Sequence, residues 1–91
     1  DFVDTGFEFD VSMEEIRFER GIARYDNDSL KLALDDFNFC IDKNFEMPSS
    51  LYWRGTIYVT YGMNQEGCSD FKEAHKLGDS DAQKMIDKYC K

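Results

Sequence analysis

The residues of this chain that could do chemistry are few and scattered. Cys40, Cys68 and Cys90 fit no zinc-ligand spacing, and the one histidine, His75, cannot complete a usual ligand set with them. No nucleophile–base pattern, glycine-rich phosphate loop or metal cluster stands out. The carboxylate pairs Glu14/Glu15 and Asp35/Asp36 fall on polar helix faces, where solvation rather than acid–base work is the expectation. Neither an enzyme nor a bound metal or cofactor is therefore expected. What is left to do chemistry is a surface, and the elements that would shape it come next.

Residues 1–11, DFVDTGFEFDV, alternate Phe7, Phe9 and Val11 with Glu8 and Asp10, the period of an extended segment with one apolar side. Ser12-Met13-Glu14-Glu15 then reads as a capping box opening a first helix over about 13–26, with Val11 and Ile16 placed as its hydrophobic staple. Asp26-Asn27-Asp28-Ser29 is turn chemistry whose side chains are expected to cap a second helix, about 29–43. Its stripe of Leu30, Ala33, Leu34, Phe37, Cys40 and Ile41 follows helical spacing, so Cys40 is expected to fill core. Pro48 suits the first turn of a third helix, about 49–61, which is apolar nearly all round and so expected to be covered on several sides. Gly62 and Gly78 are placed as C-cap glycines closing the third helix and a fourth, about 64–76. Ser80 or Asp79 opens a short fifth helix with the stripe Ala82, Met85, Ile86 and Tyr89.

Ninety-one residues suffice for one small domain, and 42 % hydrophobic with 15 % aromatic residues suffices for its core. Residues 1–47 hold thirteen Asp/Glu against five Lys/Arg, whereas residues 48–91 hold six of each, so the whole net charge of −8 lies in the first half. An acidic chain repels a phosphate backbone, which argues against nucleic acid as partner. The acidic half reads either as a solvated face or as one that steers a basic partner. No apolar run reaches the ~20 residues of a membrane span, and no leader is evident. The chain opens on Asp1 rather than Met, which reads as upstream sequence trimmed or left out. Cys68 and Cys90 can pair only if the last helix folds back on the second repeat; the odd count favours three thiols in a reducing, cytoplasm-like compartment.

The helices also repeat. Gly55 follows Gly21 by 34 residues, and the same offset joins Phe18 to Tyr52, Arg20 to Arg54, Ala33 to Gly67, Asp36 to Asp70, Phe37 to Phe71 and Cys40 to Ala74. Such a period over two amphipathic helices is a helical-repeat signature. The second repeat, with Tyr52, Gly55, Tyr58, Gly62, Gly67, Phe71, Ala74 and Leu77 in order, resembles the tetratricopeptide (TPR) pattern. The first resembles it at Phe18, Gly21, Ala33 and Phe37, with Arg24 at the usual aromatic position and Tyr25 one place on. The resemblance covers residues 13–91 and implies an all-α, right-handed solenoid: repeats at about 13–46 and 47–78, a cap at about 80–90, and the extended segment in front. The glycines would let paired helices approach closely, and Arg20 and Arg54 would each pair with the Asp 16 residues on.

By the same resemblance, the first helices of the repeats would line a concave groove that binds a peptide of a partner protein. Its positions here are Glu15, Phe18, Ile22, Tyr25 and Asp26, then Ser49, Tyr52, Thr56, Val59 and Thr60. Family members that clamp a C-terminal carboxylate present Lys and Asn there, and these positions hold neither. Aromatic and aliphatic anchors framed by acids suggest an apolar or basic-and-apolar peptide. The alternatives are a unit that pairs with its own copy, as a homodimer, and an acidic inhibitor of a basic protein. Two repeats and a cap fall short of the ~3 repeats that usually make a stable solenoid. The expectation is therefore that residues 1–11 cover the open end, that a second copy does, or that the chain is part of a longer array.

Overall fold

The structure, a computed structural model, describes residues 12–90, and the extended segment and staple expected around residues 1–11 lie outside them. Five helices follow one another: α1 (Met13–Asp26), α2 (Leu30–Asp42), α3 (Met47–Thr60), α4 (Asn64–Lys76) and α5 (Ala82–Tyr89). There is no strand among the described residues. Moving the bounds of α1 and α2 by 34 residues gives those of α3 and α4, so the sequence period is also the period of the backbone. Each helix packs on the next in the chain, and α1 also touches α3. The apolar α3, packed against both α2 and α4, is covered on several sides as its composition requires.

Two linked cores hold the helices together. Ala33, Phe37 and Ile57 are buried among Phe18, Ile22, Tyr25, Leu30, Leu34 and Trp53, joining α1, α2 and α3. Leu51, Phe71, Ala74 and Ala82 are buried among Met47, Tyr52, Val59, Met85, Ile86 and Tyr89, joining α3, α4 and α5. Phe37 and Phe71 stand 34 residues apart and are both fully buried, each contributing roughly 1.5–3 kcal/mol by removal from water. Cys40 is core filler, as its stripe predicts; its thiol donates to the Glu14 carbonyl at 3.4 Å. Tyr89 stacks on Phe71 at 6.3 Å and closes the far end of the second core.

The close approach within each repeat explains the glycines. A Cβ on Gly21 would stand 2.9 Å from the Phe37 ring, and one on Gly55 would stand 2.8 Å from Phe71. Gly67 is tighter still, 2.5 Å from Val59 Cγ1 and 2.9 Å from the Gly55 carbonyl.

The helix ends repeat as well, in a way the residue types hide. Gly62 (φ 83°) and Gly78 (φ 110°) take the left-handed conformation, and so do Asp28 (φ 66°) and Asn44 (φ 55°), each 34 residues before one of them. In all four turns the next amide reaches back to the fifth carbonyl before it: Ser29 to Arg24, Phe45 to Cys40, Met63 to Tyr58 and Asp79 to Ala74, at 2.8–2.9 Å. The expectation that the Asp26–Ser29 side chains cap α2 is corrected here. Ser29 holds the N-cap position without a side-chain bond, because Asp28 serves the end of α1 instead. Ser12 does cap α1, its hydroxyl accepting from the Glu15 amide at 3.1 Å. At α5 Asp79 accepts from the Asp81 amide at 3.0 Å, while the N-cap residue is Asp81, without a side-chain bond. The third helix starts at Met47, two residues before its expected place, behind Glu46 at φ 45°. Ser50 is buried there, its hydroxyl donating to the Phe45 carbonyl at 2.9 Å.

Candidate functional site

The predicted groove residues lie on α1 and α3, which touch. Phe18, Ile22, Tyr25, Ser49, Tyr52, Thr56 and Val59 are half-buried, and Glu15, Asp26 and Thr60 are exposed. Their roles differ. Phe18 meets Phe37 and Phe45 edge-on at 5.9 and 6.0 Å, and with Ile22 packs on the first core. Val59 points a γ-methyl at Gly67 and packs on the second core. The Thr56 hydroxyl donates to the Tyr52 carbonyl and the Thr60 hydroxyl to the Thr56 carbonyl, both at 2.8 Å, so neither proton is free for a ligand.

The part of the strip that gathers is aromatic. Tyr25 and Tyr52 approach Trp53 edge-on, with centroids 5.2 and 6.0 Å away. Trp53, absent from the predicted groove, is thus the hinge between its two tyrosines; its place next to Tyr52 in an all-round apolar helix was the available signal. Burial chiefly, and then the charges of Asp81 and Asp79 and the Tyr25 phenol, push the Tyr52 hydroxyl above its ordinary pKa. The Tyr52 end of the aromatic strip therefore lies in the negative field of the Asp79/Asp81 turn.

On a second face of α1 the arginines gather. Asp36 is fully buried and takes four hydrogen bonds from three guanidiniums. Arg20 donates through Nε and Nη2, as expected; Arg17 adds Nε at 3.0 Å and Arg24 adds Nη1 at 3.1 Å, neither foreseen. Burial pushes the Asp36 carboxyl up, but the hydrogen bonds from Arg20 and Arg17 and the charges of Arg20 and Arg24 outweigh it, leaving the pKa below the usual range. In the second repeat Arg54 alone holds Asp70, through Nε and Nη2 at 2.8 and 2.9 Å, and spends Nη1 on Asn38 of α2 at 3.0 Å.

The cysteine expectation needs correction. Cys68 and Cys90 form a disulfide, with Cα atoms 5.4 Å apart, while Cys40 stays a buried thiol. The last helix does fold back on α4, and that contact brings the two sulfurs together. The odd count carries no sign of a reducing compartment, since a pair and a buried single thiol account for it. A hollow of about 370 Å³ beside the bond is lined by Asn64, Gln65, Lys72 and Tyr89, and one of about 430 Å³ by Leu30, Lys31, Leu32 and Tyr61; neither includes a predicted groove residue. His75 is exposed, and no three His, Cys, Asp or Glu side chains among the described residues group as metal ligands. No helix among the described residues is long and apolar enough to cross a membrane. A scan of protein-family models finds no match, and searches of curated proteins and of solved structures return no similar chain.

Proposed function

We propose that this chain is a protein-interaction module built as a right-handed, TPR-like solenoid of two repeats and a cap, binding a basic-and-apolar peptide along the α1–α3 strip. One observation carries the reading. The half-buried Tyr25–Trp53–Tyr52 cluster has the charges of Asp79 and Asp81 acting on its Tyr52 end, and the exposed Asp26 follows Tyr25 at the end of α1. Aromatic faces attract a cation by their quadrupole, and flanking acids add charge attraction, so a Lys or Arg next to an aliphatic anchor satisfies both. Further support comes from the coincidence of helix bounds and left-handed turns at the 34-residue period.

The test uses Trp53, the single tryptophan, as reporter. Peptides pairing Lys or Arg with Leu or Phe are titrated against the chain while its emission is followed. Binding should weaken about 10-fold in Asp26→Asn/Asp81→Asn, whose exposed carboxylates make no hydrogen bond or ion pair among the described residues, and again at high salt. A library with no emission change up to millimolar concentration, or affinity indifferent to the double variant, refutes the reading.

A further inference from the structure

Among the described residues, one face of the first repeat lacks the cover its counterpart has. On α1, Met13, Arg17, Arg20 and Arg24 fall on one stripe by helical spacing, and Leu32, Asp36 and Phe39 of α2 with its C-cap Lys43 fall on the neighbouring one. Arg17 lies over the Phe39 ring at 4.4 Å and Lys43 at 5.6 Å. Three guanidiniums share one carboxylate here, and Met13 and Leu32 are 57 % and 49 % exposed. The face is thus cationic and apolar in a chain of net charge −8.

Thirty-four residues on, the matching stripe of α3 is Met47, Leu51, Arg54 and Tyr58, and α2 packs against that helix. There Ile41 packs on the core around Leu51, and Asn38 accepts from Arg54 Nη1 at 3.0 Å. The same step back from α2 lands on residues 1–8, immediately ahead of α1. Arg20 uses Nε and Nη2 on Asp36, as Arg54 does on Asp70, and its Nη1 makes no bond among the described residues. Residues 1–11 carry Asp1, Asp4, Glu8 and Asp10 with Phe2, Phe7 and Phe9, and no basic residue. They join α1 directly at Ser12, and at ~3.4 Å per residue their reach exceeds the ~21 Å length of that helix.

We propose that the Met13–Arg17–Arg20–Arg24 face is a docking surface for the chain's own residues 1–11, their carboxylates meeting the three guanidiniums and their phenylalanines meeting Met13. A second copy is the weaker occupant. Its α5 end exposes Lys84 and Lys88 balanced by Asp81 and Asp87, and so offers no net negative charge to three arginines.

The experiment is NMR on the full chain with labelled arginine and phenylalanine. Cross-peaks from the ring of Phe2, Phe7 or Phe9 to Met13 and Arg17 are expected. In Asp1→Asn/Asp4→Asn/Glu8→Gln/Asp10→Asn the cross-peaks should be lost while the helical circular dichroism stays. Contacts from Phe2, Phe7 and Phe9 to no residue of the face, or to Tyr25 and Tyr52 instead, overturn the proposal, as does a concentration-dependent dimer whose contacts to this face are intermolecular. The peptide-binding reading stands or falls separately, because it uses Trp53 and a different face of α1.

Discussion

Gly67→Ala tests the close approach of α3 and α4, where the first repeat carries Ala33 at the matching position. At an exposed helical position, replacing glycine by alanine stabilises by about 1 kcal/mol, because the backbone freedom glycine loses on folding is larger. At Gly67 the new methyl would stand 2.5 Å from Val59 Cγ1 and 2.9 Å from the Gly55 carbonyl oxygen. The valine can turn, but the carbonyl belongs to α3 and can give way only if the helices separate. Overpacking of this kind costs about 2–3 kcal/mol, which outweighs the propensity gain and leaves a net loss of about 1–2 kcal/mol. In a domain of this size that lowers Tm by roughly 5–15 °C. Urea unfolding followed by circular dichroism, with the disulfide intact, reads the change in midpoint. Val59→Ala removes the nearer contact and leaves the carbonyl, so the loss caused by Gly67→Ala should shrink by about 1 kcal/mol in that background, a coupling that a double-mutant cycle isolates. A Gly67→Ala chain as stable as wild type or more so would refute the close approach of α3 and α4.

The disulfide closes a loop with a sequence separation of 22, so Cys68→Ser/Cys90→Ser should lower stability by about 3 kcal/mol in urea, most of it from the freer unfolded chain. Asn44→Gly and Asp28→Gly should each stabilise by about 0.5–1 kcal/mol, since both residues hold left-handed turns whose counterparts are glycine; thermal melts of the single variants decide it. Asp36→Asn should destabilise more than Asp70→Asn, because it leaves three guanidiniums rather than one without a carboxylate. With its folded pKa held below the unfolded value, Asp36 contributes stability above pH ~4 that is lost as pH falls through the folded value. Urea midpoints between pH 7 and 3 should accordingly fall less steeply in Asp36→Asn than in wild type. Burial first, and then the Asp36 charge, raise the Cys40 thiol above its ordinary pKa, so a disulfide-type thiol reagent should leave it unmodified until urea unfolds the chain.

The sequence by itself determined the helices and their period. Apolar residues at helical spacing, a capping Ser12, Pro48 and the glycines at 62 and 78 act within a few residues of themselves, and such local effects survive in the one-dimensional record. The 34-residue offset also assigned Arg20 to Asp36 and Arg54 to Asp70, because a repeated residue pair implies a repeated contact. Turn residues were less legible. Asp28 and Asn44 take the same left-handed backbone conformation as glycines, which only the folded backbone reveals. Tertiary packing alone decided the rest. Arg17 and Arg24 join Asp36 because the facing of α1 and α2 aims three side chains at one buried carboxylate. Trp53 sits between Tyr25 and Tyr52 because α1 and α3 touch along that edge. Cys68 meets Cys90 because α5 folds back over α4. Each of these brings together residues far apart in the chain, and a contact of that kind depends on how the helices settle against one another, which local spacing does not encode.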